Sequence, residues 1–96
     1  MKQALVAHPA DTVGTALHEL AANDRIRAVS KDAGSRELVA LEPIPRFHKI
    51  ALQDIKKGEK ILKYGEAIGT ATQDIAIGFH VHFQNLDSDR GRGNRP

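Results

Sequence analysis

The sequence predicts a mainly β domain made of short strands, and three observations support this fold class. Apolar residues recur in short segments that alternate with polar residues rather than at the spacing of an amphipathic helix. Glycine and proline interrupt these segments at close intervals, as they do in all-β domains. A strand–turn–strand pattern also recurs along the chain. The length of 96 residues permits one domain of ordinary size.

Four strands are predicted in the first half of the chain, at residues 3–8, 12–17, 25–29 and 37–42. The third alternates charged and apolar residues, which is typical of a half-buried strand. Residues 31–35, Lys-Asp-Ala-Gly-Ser, predict a hairpin turn that leads into the fourth strand. Pro43 and Pro45 then exclude a helix and favour an extended connection. A helix over residues 15–23 is the competing interpretation of this half.

Four more strands are predicted in the second half, at residues 48–52, 60–64, 67–72 and 80–84. Glycines separate them and provide the turns between neighbouring strands. The last residues are polar and rich in glycine and arginine, so we divide the chain into a domain at residues 1–86 and a flexible polar tail at residues 87–96. The Arg-Gly pairs of this tail are a weak sign of RNA binding because no aromatic residue accompanies them.

An internal repeat relates residues 51–61 to residues 71–81, and a degraded third copy covers residues 16–26. Each copy has Ala, two residues, an acid, Ile or Leu, two residues, Gly or Asn, two residues, and Ile or Val. We interpret the acid as the cap of a single helical turn and the Ile or Leu as a core anchor. The Gly or Asn then takes a left-handed conformation and releases the chain into the next strand. The copies predict a compact, pseudo-symmetric β domain rather than a solenoid.

Composition excludes several classes of function. The absence of cysteine removes disulfide scaffolds, thiolate nucleophiles and cysteine-based zinc sites. Because 14 Lys+Arg face 12 Asp+Glu, the net charge of +2 is too small to attract nucleic acid, and we expect no such partner. The apolar run at residues 4–7 is too short for a signal segment or a membrane span. We therefore expect a cytoplasmic location and no membrane partner.

Two histidines near the end of the domain form a candidate metal site. On a strand, His80 and His82 share one face, and the phenylalanines of the same segment share the other. A His-x-His pair places two imidazole nitrogens on one metal ion when a third ligand comes from elsewhere. The alternative interpretation is a pair of exposed histidines with no metal.

Two other segments carry polar residues suited to catalysis or binding. His48 and Lys49 are candidates for a general base, although on a strand they point to opposite faces. Tyr64, Gly65 and Glu66 form a polar corner where glycine lets backbone amides approach a ligand. The alternatives are a structural histidine beside a surface lysine, and a simple hairpin. No phosphate-binding loop, nucleophile elbow or nucleotide fingerprint is present, so the sequence lacks a complete active site.

Four segments appear in an order that identifies a resemblance. They are Ile-Pro-Arg-Phe-His-Lys-Ile-Ala-Leu at 44–52, Asp-Ile-Lys-Lys-Gly at 54–58, Lys-Tyr-Gly-Glu-Ala-Ile-Gly at 63–69 and His-Val-His-Phe-Gln-Asn-Leu at 80–86. The chain resembles the N-terminal domain of the altronate/galactarate dehydratase family, a β-clip module of the SAF type. The resemblance spans roughly residues 3–86, and the His80 and His82 pair makes it more similar to the altronate branch.

The resemblance implies a compact β-clip fold and a role in a metal-assisted sugar-acid dehydratase, which eliminates water to leave a 2-keto-3-deoxy acid. It implies a large catalytic subunit as partner, a sugar acid as substrate and a divalent metal, iron or manganese, in the complete enzyme. At 96 residues the chain is expected to be the separate small subunit, inactive alone. We predict catalytic roles for His48, Lys49 and Tyr64, substrate contacts from Gly65, Glu66 and Asn85, and metal ligation by His80 and His82.

Two residues depart from the pattern of this family. Phe47 stands where the family usually has glycine, and Gln84 stands where altronate-type members often have a further histidine. The open alternatives are the small subunit of a sulfolactate sulfo-lyase and a non-catalytic module that binds carbohydrate acids or serves in assembly. Association of identical copies is also left open.

Overall fold

The chain folds into strands joined by tight turns. The computed structural model describes residues 1–31 and 34–88. Its strands are β1 (Lys2–Val6), β2 (Val13–Ala16), β3 (Arg25–Ser30), β4 (Gly34–Val39), β5 (Lys49–Ala51), β6 (Lys60–Lys63), β7 (Glu66–Ala71), β8 (His80–Val81) and β9 (Leu86–Ser88). The prediction of a mainly β fold is confirmed. Within the described residues no helix forms, so the competing helix over residues 15–23 is wrong, and no segment there has the length and apolarity of a membrane-crossing helix.

The strands form two sheets. Six strands lie in the order β4-β3-β1-β2-β5-β8, and three lie in the order β6-β7-β9. The pairing of β1 with β3 is parallel and every other strand pairing is antiparallel. Strand β8 therefore lies at one edge of the larger sheet. The site described below lies on this edge strand and its neighbour β5.

The repeat of residues 51–61 and residues 71–81 is present as a pair of interlocked copies. Ile55 and Ile75 each donate a backbone N–H to the carbonyl of the other at 2.7 Å. The glycines form an equivalent reciprocal pair of bonds. The N–H of Gly58 donates to the carbonyl of Ala71 in the second copy, and the N–H of Gly78 donates to the carbonyl of Ala51 in the first. The reciprocal bonds relate the copies by a local two-fold arrangement.

The acid of each copy caps the other copy. Asp54 accepts the N–H of Ile77 at 2.9 Å, and Asp74 accepts the N–H of Lys57 at 2.8 Å. Each acid accepts a backbone N–H, as the sequence analysis interpreted it, but the capped turn belongs to the other copy, and these turns are not helical in the described residues. The side chain is used as predicted, to satisfy backbone donors, but it does so across the local two-fold.

The third copy has a partner that the sequence pattern did not reveal. Residues 40–50 follow the same spacing, and Leu20 and Ile44 exchange backbone hydrogen bonds of 2.9 Å. This fourth copy escapes a sequence search because Pro43 takes the place of the acid and Phe47 that of the glycine. The backbone at Phe47 is nevertheless left-handed, with φ of 70°. The molecule thus contains two interlocked pairs of copies.

Each pair of copies builds its own apolar core. The first core consists of Ala4, Val6, Ala16, Leu20, Ile26, Ala28, Leu38, Ala40, Ile44, Ile50 and Leu52. The second consists of Val13, Ala51, Ile55, Ile61, Ala71, Ile75 and Val81. Every alanine, anchor and final apolar residue of the four copies is in one of these lists. Full burial of one such Leu or Ile contributes about 1.5–3 kcal/mol.

The end of the chain lies only partly within the described residues. Strand β9 includes Asp87 and Ser88, the first two residues assigned to the tail. The remaining tail residues, 89–96, and residues 32–33 of the predicted hairpin turn lie outside the described residues. The domain boundary at residue 86 stays a prediction.

Candidate functional site

Three histidines come together because of the register between β5 and β8. Ile50 lies opposite His80 in this antiparallel pair. Continuing the same register by two residues places His48 opposite His82, where side chains share a face. The rings of His48 and His82 are stacked, with centroids 4.3 Å apart and an interplanar angle of 24°. The two segments that the sequence analysis treated as separate sites are therefore one site.

The imidazole nitrogens are close enough to share one ion. His48 Nδ1 lies 2.9 Å from His80 Nε2, and one ring nitrogen from each of the three histidines lies within 4.8 Å of the others. Nitrogens bound to one zinc-like ion at about 2.0–2.1 Å lie roughly 3–3.5 Å apart. All three side chains are half-buried. Because the observed nitrogens lie up to 4.8 Å apart, the side chains would have to move closer together to bind one ion.

Polar neighbours fix the backbone and the ring of His80. Asn85 is only 4% exposed, and its amide donates to the His80 carbonyl at 2.8 Å and accepts the His82 N–H at 3.0 Å. Glu42 accepts the His80 N–H at 3.1 Å. The amide nitrogen of Gln84 lies 3.4 Å from His80 Nδ1. The contact of His48 Nδ1 with His80 Nε2 requires one of the two nitrogens to carry a proton, and a metal ion would bind the nitrogen that is unprotonated.

Burial and the neighbouring rings favour the neutral form of His80 and His82. Burial lowers the pKa of His80, and the neighbouring His48 and His82 lower it further. Burial also lowers the pKa of His82, again with help from His48. Because metal ions bind the unprotonated nitrogen, a lowered pKa leaves more of the ligand in its binding form near neutral pH.

A cavity of about 470 Å³ lies beside the histidines and contains Lys49, Lys63, Tyr64 and Glu66. It has the size of a small-molecule site, for which about 300–1,000 Å³ is typical. Burial lowers the pKa of Lys49, and the positive charge of Lys63 lowers it further. Phe83 connects the cavity to the histidines, because it lines the cavity and its ring centroid lies 4.3 Å from that of His82.

A buried carboxylate that the sequence analysis did not single out shapes one wall of this cavity. Asp11 is 4% exposed and accepts the N–H of Tyr64 at 3.0 Å and that of Gly65 at 2.8 Å. Both turn residues have left-handed backbone, with φ of 60° and 74°. A side chain at Gly65 would place its Cβ 2.9 Å from the ring of His8. Asp11 thus holds the turn that presents Tyr64.

The structure separates the predicted site residues into three groups. His48, His80 and His82 form the cluster. Lys49, Tyr64 and Glu66 line the cavity. Gly65 and Asn85 form hydrogen bonds within the fold. The Gly65 N–H donates to Asp11, and the Asn85 side chain bonds the backbone of β8 and of the residue after it. His48 comes to lie opposite His82 only through the register of the β5–β8 pair. The sequence alone could not reveal the cluster, because it does not show which strands pair.

Large aromatic side chains surround the site and remain exposed. Phe47 is 62% exposed, Tyr64 64% and Phe83 84%. Arg46 lies over the ring of Phe47, with 4.5 Å between the guanidinium carbon and the ring centroid. Lys63 lies over the ring of Tyr64 at 4.8 Å. Exposed apolar groups that flank a polar site are typical of surfaces that meet another molecule.

The fold and the site together define a small β domain with paired strand–turn–strand repeats and a surface cluster of three histidines. The sequence matches the altronate/galactarate dehydratase SAF domain family over residues 2–89. The chain belongs to this family, and the resemblance noted from its motifs is confirmed.

Relatives with curated names include both large and small proteins. The chain is 40% identical over 89 residues to the altronate dehydratase of Bacillus subtilis (strain 168), covering 93% of this chain and 17% of that protein. It is 41% identical over 83 residues to the altronate dehydratase of Escherichia coli (strain K12), covering 86% and 16%. It is 39% identical over 62 residues to (2R)-sulfolactate sulfo-lyase subunit alpha of Paracoccus pantotrophus, covering 65% and 92%. The chain thus spans about a sixth of the length of the two altronate dehydratases.

Proposed function

We propose that this chain supplies the SAF component of a metal-assisted dehydratase that acts on a sugar acid. The observation that carries the proposal is the cluster of His48, His80 and His82 in a member of a family whose relatives include altronate dehydratases. The cluster offers three imidazole nitrogens, and three protein ligands are typical of a catalytic rather than a structural metal site. We propose iron or manganese as the metal and the cytoplasm as the location.

The proposed reaction removes the α-proton and the β-hydroxyl of a sugar acid. The carbon–hydrogen and carbon–oxygen bonds break, water leaves, and the resulting enol becomes a 2-keto-3-deoxy acid. A divalent ion held by the histidines would polarise substrate oxygens. We assign His48 to metal ligation, in addition to the two histidines predicted as ligands, and keep Lys49 and Tyr64 as residues that face the substrate.

We also propose that a catalytic chain or domain covers the histidine face. Three arguments support this. The cluster histidines are half-buried, and the exposed rings of Phe47 and Phe83 directly precede His48 and follow His82 in the chain. The altronate dehydratases are several times longer than the matched region. The sulfo-lyase relatives are each named as subunit alpha, which is one component of a larger enzyme.

A domain exchange tests the proposed activity. Residues 2–89 of this chain replace the matched segment of the Bacillus subtilis altronate dehydratase, and dehydration of altronate and galactarate is measured. We expect the hybrid to retain activity and the His80→Ala, His82→Ala variant to lose it. His18→Ala is the matched control, because His18 is exposed and lies outside the cluster. A folded hybrid whose activity is indifferent to the cluster histidines would overturn the proposal.

Calorimetry on the isolated chain tests the metal site separately. We expect one divalent ion to bind per chain, with binding abolished in the His80→Ala, His82→Ala variant and weakened in His48→Ala. The His18→Ala variant should bind as the wild type does. Identical metal uptake in the double variant would remove these histidines from the site.

A sulfo-lyase role is the second candidate. The match to the Paracoccus pantotrophus subunit alpha covers 92% of that protein, whereas the match to either altronate dehydratase covers about a sixth. In this case the substrate is sulfolactate and the leaving group is sulfite. Assaying altronate, galactarate and sulfolactate with the same catalytic partner distinguishes the two.

A further inference from the structure

We propose that Lys49 and Lys63 form a subsite for the acid group of a small hydroxy acid, next to the histidine cluster. Both lysines line the cavity of about 470 Å³ that Phe83 connects to the cluster. The identity of the acid rests on the proposed function. The existence of an anion site in this cavity rests on the arrangement of residues alone.

Among residues 1–31 and 34–88, the ammonium groups of Lys49 and Lys63 have no carboxylate in an ion pair with them. Glu66 lines the same cavity but is exposed, whereas both lysines are half-buried. Half-buried cations close to one another are unfavourable unless an anion joins them.

One wall of the cavity is held by contacts to a buried carboxylate. Tyr64 adopts a left-handed backbone conformation, which is rare for a bulky residue and unfavourable by about 1–3 kcal/mol. The buried carboxylate of Asp11 compensates by accepting the N–H groups of Tyr64 and Gly65. Strain held in place by a buried group is typical of functional sites. Here the strained turn presents the Tyr64 side chain to the cavity, where it lies against Lys63.

The subsite and the histidine cluster lie on the two sides of the β5–β8 pair. Lys49 and His48 are consecutive and point to opposite faces, as the sequence predicts. Both faces border β8, the edge strand of the larger sheet. Phe83 lies between the cavity and the cluster, since it lines the cavity and its ring lies against that of His82. Two lysines that bind the same acid group would orient a hydroxy acid by its charged end.

Binding of L-lactate, the smallest chiral 2-hydroxy acid, to the isolated chain tests the subsite. Amide and side-chain NMR shifts are followed at neutral pH, with the neutral analogue lactamide as the comparison ligand. We expect saturable shifts at Lys49, Lys63 and Tyr64 with lactate and none with lactamide. Lys49→Gln should weaken binding about tenfold, since it removes one charge-assisted hydrogen bond.

Two variants keep the experiment decisive. Lys49→Arg retains the positive charge and should preserve most of the binding, while a native-like spectrum of Lys49→Gln confirms its fold. Lys57→Gln is the matched control, because Lys57 is exposed and lies outside the cavity. Equal binding of lactamide, no binding of lactate, or unchanged affinity in Lys49→Gln would overturn the subsite. None of these results bears on the activity of the hybrid dehydratase, so the two proposals fail separately.

Discussion

The two interlocked pairs of copies share a backbone conformation but have different residues at its left-handed position. In the second pair, Gly58 and Gly78 take the left-handed position, with φ of 90° and 92°. In the first pair the same position holds Asn23 and Phe47, with φ of 73° and 70°. The repeat therefore requires a left-handed backbone at this position, but it does not require glycine. The least suitable residue, Phe47, stands directly before the metal-ligand candidate His48.

Gly78→Ala has the largest expected effect on this comparison. Besides the left-handed φ, an added Cβ would overlap the carbonyl oxygen of Val39, so the backbone of both pairs must shift. We expect a loss of about 3 kcal/mol in the free energy of unfolding, measured by urea denaturation. Gly58→Ala is the matched control, because it has the same φ with nothing near the added atom. It should lose only about 1 kcal/mol.

Equal losses in the two variants would show that conformational freedom alone makes glycine necessary. The larger loss in Gly78→Ala would instead show that the contact between the two pairs decides it. Val39 belongs to the first half of the chain and Gly78 to the second. The variant therefore measures how tightly the two halves pack.

The sequence predicts the second pair far better than the first. Two copies with Asp, Ile and Gly at matching positions are visible by inspection, and the residues that take up the anchor and left-handed positions follow from them. The fourth copy is hidden because Pro43 and Phe47 meet the backbone requirements without the usual residue types. The cross-capping by Asp54 and Asp74 is hidden for another reason, since it depends on which copies pair in space.

Asp11→Ala tests a direct link between the halves. Asp11 follows β1, and its carboxylate accepts N–H groups from Tyr64 and Gly65 in the second half. Removing it leaves these donors and the N–H of His8 without their acceptor in a part-buried turn. We expect a loss of about 2 kcal/mol by urea denaturation and altered NMR shifts at Tyr64. Unchanged stability would mean that the turn holds its conformation without Asp11.

Phe47→Gly should stabilise the protein, by about 1 kcal/mol in the free energy of unfolding. The ring of Phe47 is mostly exposed, so its removal sacrifices little burial, while glycine relieves the left-handed strain. Asn23→Gly is the control for the equivalent position. It should change stability by less than about 0.5 kcal/mol, because Asn tolerates this conformation. Destabilisation by Phe47→Gly would indicate that the ring packs in the folded chain.

The candidate site is less predictable from sequence than the fold. The His-x-His motif predicted two ligands, but the third follows only from the register that places His48 opposite His82. Asp11 gives no sequence signal, because a carboxylate after Pro-Ala reads as part of an ordinary turn. Its role depends on a partner more than fifty residues away. Short-range patterns identify which residues can act, and strand pairing decides which of them act together.

The smallest expected effect concerns pH and tests whether the pKa values of His80 and His82 are lowered where their rings pack against His48 of the first pair. The folded-state pKa of His80 and of His82 lies below the ordinary value of 6.5, chiefly because of burial and then His48. As the pH falls through 6.5 the unfolded chain therefore takes up protons before the folded chain does, and stability falls; above about pH 7 neither state is protonated and these groups contribute nothing. Urea denaturation from pH 7.5 down to roughly pH 5 should show this decline, and the His80→Gln, His82→Gln variant should reduce it. His18→Gln lies outside the cluster and should leave the slope of the wild type unchanged. A slope in the double variant equal to that of the wild type would assign the acid sensitivity to other groups.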